Sequence, residues 1–311
     1  MPRAHASRLP RGSGASAVCL FLLAGMLGGC GSANAPASPP STTASTDGDG
    51  VLGEWVSAAG YQRTYSLHLP SGYDASRPYP LIIAFHGAGG THEQAHDVGL
   101  DRAANAGGFI LAAPDGIGGD WSLPCAGCTY ATQIGVDDVA FVATLVNHLS
   151  RNLSIDPNGV FVAGISDGGA FTHEVACRYP VAGAAVVAGM MFDPASCHPP
   201  KRVPFVGFHG TADGVVAFSY ATASVQEWAA LNGCADIPSE TNLPDLVAND
   251  QTTVIRYDFP ACSDDADVTF FAILGGGHNW PGVTPWNPSD RGSKDINASD
   301  EIVRFFSAHR R

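Results

Sequence analysis

The sequence predicts an α/β fold, a mostly parallel central sheet with helices on both faces. Three observations point there. Short, wholly apolar runs recur along the chain, as strands covered on both faces require. Segments with helical spacing alternate with them. Several of the apolar runs end in glycine-rich turns.

In chain order, residues 61–69 come first, alternating Tyr61, Tyr65, Leu67 and Leu69 with polar neighbours, the period of a half-buried strand and a plausible antiparallel edge start. Residues 80–85 are continuously apolar and run into His86-Gly87-Ala88-Gly89-Gly90. Similar runs follow at residues 109–113, 160–164, 184–188, 203–208 and 268–274. Helical spacing is clearest at residues 139–153, 171–178, 220–231 and 296–309. No internal repeat is visible, and one domain over residues 51–311 accommodates all of these elements.

The first fifty residues read differently. Arg3, Arg8 and Arg11 precede an apolar run over residues 15–27, too short to span a bilayer comfortably, so residues 1–30 are expected to be an export signal. Leu27-Gly28-Gly29-Cys30 resembles a bacterial lipoprotein signal, which makes Cys30 the candidate for lipidation and membrane attachment. Residues 31–50 are Ser, Thr, Ala, Pro and Gly with almost no large side chain, and so form a flexible linker. The expected location is therefore extracellular or at the cell envelope.

Composition bounds the function. With 45% hydrophobic and 14% charged residues the chain can build a core. Its net charge of −13 argues against nucleic acid or an anionic surface as partner. Setting aside Cys19 and Cys30 leaves Cys125, Cys128, Cys177, Cys197, Cys234 and Cys262, an even set that favours disulfides in an oxidising compartment. Cys125 and Cys128 form a CxxC with no second pair at zinc-finger spacing and no thioredoxin-like setting, so a structural bridge is expected. Connectivity stays open at this level. No metal-binding, Walker A or dinucleotide motif is present, and neither a metal nor a cofactor is expected.

Gly164-Ile165-Ser166-Asp167-Gly168 follows an apolar strand and precedes a helical pattern. That context makes Ser166 the candidate nucleophile, because a serine on a sharp strand-to-helix turn needs small neighbours and stands clear of the sheet. The turn after residue 85 supplies a candidate oxyanion hole, from the amides of Ala88 and of Asp167, the residue after the serine. His278, on Gly275-Gly276-Gly277-His278-Asn279-Trp280 at a strand end, is the candidate base. Asp213, in His209-Gly210-Thr211-Ala212-Asp213, is the candidate acid that orients it. Asp193, before Pro194, is the rival acid and reads better as a turn residue. Asp167 is expected to satisfy amides of the first helical turn, Asp137 and Asp138 to cap the helix at residue 139, and His86 to brace its loop. Trp280 is a candidate lining of the acyl site.

Taken in order, these motifs, together with Val136-Asp137-Asp138-Val139, Asp156-Pro157-Asn158 and Asn297-Ala298-Ser299, make the chain resemble the extracellular polyhydroxybutyrate depolymerase and feruloyl esterase family, including actinobacterial lipoprotein esterases. The resemblance covers most of the chain after the linker. It implies the α/β-hydrolase fold and cofactor-independent hydrolysis of a carboxylic ester through an acyl-enzyme; a monomer is expected. The substrate would be a small molecule, a polysaccharide-linked feruloyl or acetyl ester, or an aliphatic polyester. It further implies the pairs Cys234 with Cys262, Cys177 with Cys197, and hence Cys125 with Cys128. Asp167 departs from the asparagine, alanine or histidine common after the serine in that family. Two other readings share the fold: a non-catalytic envelope binding lipoprotein, which all three triad residues argue against, and a serine peptidase, which ester and amide substrates would separate.

Overall fold

The computed structural model describes residues 51–56 and 61–310. The expected export signal (residues 1–30), Cys30 and the expected linker (residues 31–50) lie outside the described residues. The first part of the domain runs β1 (Val51–Val56), β2 (Gln62–His68), β3 (Tyr79–Phe85), α1 (Gln94–Asp97), α2 (Leu100–Gly107), β4 (Ile110–Pro114) and α3 (Tyr130–Gln133). The centre is α4 (Asp138–Asn152), β5 (Ile155–Ile165), α5 (Asp167–Arg178), β6 (Gly183–Val187) and β7 (Phe205–Gly210). The remainder is α6 (Phe218–Leu231), β8 (Ser239–Asn242), β9 (Thr253–Phe259), β10 (Val268–Leu274) and α7 (Ala298–Ala308).

These ten strands form a single sheet in the order β1-β2-β4-β3-β5-β6-β7-β10-β9-β8. The six from β4 to β10 pair in parallel. β1 and β2 on one flank, and β9 and β8 on the other, join antiparallel. The apolar runs are continuous because both faces are covered. Along β3, Leu81, Ile83 and Phe85 face one core, where Val142 of α4, Phe171 of α5 and Trp228 of α6 pack. Ile82 and Ala84 face the opposite core, with Leu100 and Ala103 of α2 and Ile302 and Phe306 of α7. Each such large side chain contributes about 1.5–3 kcal/mol when buried.

The departures from expectation have local causes. The strand at residues 61–69 is internal, since β1 pairs outside it. β8, with the sequence SETN, is exposed at all four positions and carries no apolar alternation to read. α2 is eight residues between Gly99 and Gly108, both left-handed at φ +70° and +69°, too short for a periodic signal. α5 begins at Asp167, four residues before the apolar pattern, because Gly168 and Gly169 interrupt it.

Among the described residues, three disulfides join Cys125 to Cys128, Cys177 to Cys197 and Cys234 to Cys262. The second ties the end of α5 to the segment after β6, and the third ties the end of α6 to the turn between β9 and β10. These pairs are consistent with an oxidising, extracellular compartment.

Candidate active site

Ser166 sits between β5 and α5 at φ +54°, ψ −118°, a conformation that costs a non-glycine residue about 1–3 kcal/mol. Its surroundings hold it there. The Ser166 amide donates to Val187 O at 3.0 Å, and its carbonyl accepts from the Ala170 amide at 2.9 Å. The flanking glycines are required by contact: a methyl at Gly164 would overlap the Gly168 carbonyl, and one at Gly168 would overlap the Phe85 carbonyl.

The parallel order places the ends of β5, β7 and β10 on one edge of the sheet, and the β7 and β10 turns are bonded to each other. Thr211 N donates to Ile273 O at 2.9 Å, Ala212 N to Gly276 O at 2.8 Å, and Gly275 N to Thr211 Oγ1 at 2.9 Å. Gly210 has no room for a side chain against the Gly276 carbonyl. As a result Asp213 and His278, 65 residues apart, meet with His278 Nδ1 at 2.8 Å from Asp213 Oδ2. His278 Nε2 lies 2.9 Å from Ser166 Oγ. With Asp213 ionised, Nδ1 carries the proton and donates, leaving Nε2 to accept the serine hydroxyl proton.

Burial alone would raise the Asp213 pKa, but the group ends well below the usual carboxylate range. His209 and His278 donate to it, as do the amides of Val216 and Val215, both of which reach Oδ1 at 2.8 Å. His209 Nε2 is 3.2 Å from Asp213 Oδ2 and 2.8 Å from Val216 O, so one N–H serves both.

The turn after β3 forms the wall beside the serine. A Cβ at Gly87 would lie 3.4 Å from Ser166 Cβ. The Gly87 amide is taken by Gln94 Oε1 at 2.7 Å. His86 Nε2 accepts from the Gly116 amide at 2.9 Å, so its Nδ1–H donates to Gly87 O at 2.8 Å; burial holds the ring's pKa below its ordinary value, keeping it neutral. Gly90 N donates to the same carbonyl. In a trans peptide the N–H points opposite the C=O, so fixing Gly87 O fixes the direction of the Ala88 N–H. Among the described residues, neither the Ala88 nor the Asp167 amide has a protein acceptor.

Three sequence expectations need correction. Asp167 does not satisfy its own helix: its Oδ2 accepts from Trp121 N at 2.9 Å, and burial pushes its pKa up to about 6. Asp137 caps α4 through Ala140 N, but Asp138 is buried, pairing with Arg63 and accepting from Ser122 N at 2.7 Å. Trp280 does not line an open acyl site. It is 2% exposed, packs in the α2/α7 core and donates to Ser299 Oγ at 3.1 Å, anchoring the His278 turn to α7. Asp193 accepts from Ser196 Oγ at 2.6 Å in its own turn. Sequence reasoning missed Gln94, His209 and Trp121. Only His209 had a visible signal, its place in the motif that carries Asp213.

The family model described as "Putative esterase" matches residues 57–190. "Putative esterase NocK" of Nocardia uniformis subsp. tsuyamanensis is 29% identical over 281 residues, covering 80% of each chain. Feruloyl esterase D of Neurospora crassa is 28% identical over 265 residues, covering 80% of this chain and 82% of its own. A CE1 ferulic acid esterase from Anaeromyces mucronatus, solved with ferulic acid, superposes with a TM-score of 0.55 at 13% identity, over 88% of this chain and 96% of that one. That likeness is one of fold, the α/β-hydrolase fold. With the two sequence relatives beside it, these likenesses support an esterase of the feruloyl-esterase type, and the chain is a carboxylic ester hydrolase.

Proposed function

We propose that this protein is a serine esterase that works through an acyl-enzyme, with Ser166 as nucleophile, His278 as base and Asp213 as the acid that orients the base. The observation that carries the reading is the unbroken relay from Ser166 Oγ through His278 to Asp213, at 2.9 Å and 2.8 Å, on a turn with a strained serine. Ser166 Oγ attacks the ester carbonyl carbon while His278 Nε2 takes its proton. The amides of Ala88 and Asp167 receive the oxyanion. As the carbon–oxygen bond breaks, His278 returns the proton to the departing alkoxide, and water, activated by the same ring, then releases the acid.

The substrate we favour is a feruloyl or acetyl ester, in line with the names of the relatives, and a poly-3-hydroxybutyrate-like polyester belongs to the same chemistry. The domain at residues 51–311 is proposed to act outside the cytoplasm, either released or held at the envelope through acylated Cys30. The test is release of p-nitrophenol from its acetate, butyrate and octanoate esters, and of ferulate from methyl ferulate, by the protein and by Ser166→Ala. Turnover lost in the variant supports the nucleophile. Equal turnover in both would sink it.

A further inference from the structure

Between β4 and α4 lies a built loop that the esterase chemistry leaves unused, and it contains the CxxC. Its base is Trp121, fully buried, stacked on Phe171 with centroids 4.9 Å apart and donating from Nε1 to His86 O at 2.9 Å. The Trp121 amide is held by Asp167 and the Ser122 amide by Asp138. From there the loop is closed on itself. Thr129 Oγ1 donates to Trp121 O at 2.8 Å, Gln133 Nε2 donates to Gly127 O at 2.9 Å, and Cys125 is joined to Cys128.

What this framework displays is Tyr130. The residue is 51% exposed, and its ring packs on the Gly118 turn, where an added Cβ would come within 2.6 Å of it. Its amide donates to Asp120 Oδ2 at 3.1 Å, and Thr129 caps the short helix that it opens. The adjacent Gly119 touches the oxyanion turn: Gly89 N donates to Gly119 O at 2.8 Å, and a Cβ on Gly119 would sit 3.1 Å from Gly89 Cα. An exposed aromatic ring thus rests on Gly118, whose neighbour Gly119 is bonded to the turn that carries Ala88, on a loop braced from below by the residue following Ser166.

We infer that Tyr130 is a substrate-binding residue, an aromatic platform that takes the flat face of an aromatic ring in the ester, and that the Cys125–Cys128 link holds it in place. The inference rests on the esterase reading above and names the part of the substrate that this wall selects. A rigid ring loses little conformational freedom on contact, and an aromatic pair contributes enough to change binding by about 3- to 10-fold.

The experiment compares the KM of methyl ferulate (ring on the acid) and phenyl acetate (ring on the alcohol) with that of ethyl acetate, which has no ring, in the full protein and in Tyr130→Ala, Tyr130→Phe and Cys125→Ser/Cys128→Ser. The expected result is a 3- to 10-fold rise in the ratio of ring-bearing to ringless KM for Tyr130→Ala and the double cysteine variant, with the ratio restored in Tyr130→Phe. The ester whose ratio moves shows whether the ring sits on the acid or the alcohol. Calorimetric binding of methyl ferulate to Ser166→Ala, with and without Tyr130→Ala, reads the same contact without turnover, so a fault in the nucleophile assignment is seen separately. An unchanged ratio, an equal change for all three esters, or a change confined to kcat would overturn the platform. A double cysteine variant with the parent ratio would overturn its anchoring.

Discussion

Two half-buried residues with carboxylates, Asp213 and Asp167, flank the serine, and their surroundings drive them in opposite directions. Asp213, in the turn after β7, collects two imidazole donors and two backbone amides and stays ionised far into acid. Asp167, at the start of α5, collects one amide, from Trp121, and faces Asp120 and Asp138, so burial prevails and its pKa climbs to about 6. Donor count and neighbouring charge separate them. The difference suits the proposed chemistry: a fixed negative charge stabilises the imidazolium on one side, and a titrating group sits beside the oxyanion on the other.

The comparison can be broken most forcefully at Asp213. Asp213→Asn keeps the shape but presents no anion to His278 Nδ1, and kcat is expected to fall about 10³- to 10⁴-fold with little change in KM. A loss under tenfold would mean that His278 is oriented by something else. His209→Phe removes one donor from the same carboxylate. Because the folded pKa of Asp213 is depressed, its stabilising contribution is present above the unfolded value of about 4 and is lost as pH falls below it. The variant is expected to lose about 1.5–3 kcal/mol in urea unfolding at neutral pH, with that deficit shrinking in acid. A deficit that stays constant with pH would assign His209 a packing role only.

The smallest effect belongs to Asp167→Asn, which keeps an acceptor for Trp121 N but removes the charge. A raised carboxyl pKa costs stability as pH rises from the unfolded value of about 4 through about 6, so the variant should match the parent near pH 4 and exceed it in Tm near pH 8. Its kcat should exceed the parent's about threefold above pH 6 and converge with it below. Parallel pH profiles would show that the Asp167 charge is not felt at the ester.

Legibility followed the same division between strong and weak local constraint. The apolar runs of β3, β5, β6 and β10 were visible because both faces are buried, whereas β8 and α2 impose almost no pattern on their residues. Ser166 was visible because the elbow demands glycines at 164 and 168, which would otherwise meet backbone carbonyls. The direction of a polar side chain was not. Asp138 was read as a cap beside Asp137, yet Arg63, on a strand 75 residues earlier, draws it into the core. Trp280 was read as a site residue from its nearness to His278, yet α7 covers it.

The sequence by itself determined the alternation of buried strands and helices, the elbow at Ser166, and the chain order in which the serine, acid and histidine turns occur, because backbone geometry and two-sided burial restrict residue type locally. Tertiary structure decided which carboxylate faces His278, how many donors each receives, which cysteines meet, and that Trp280 is buried while Tyr130 is exposed. Those outcomes depend on groups tens to hundreds of residues apart, and charge state and exposure are set by the sum of such neighbours rather than by any one position.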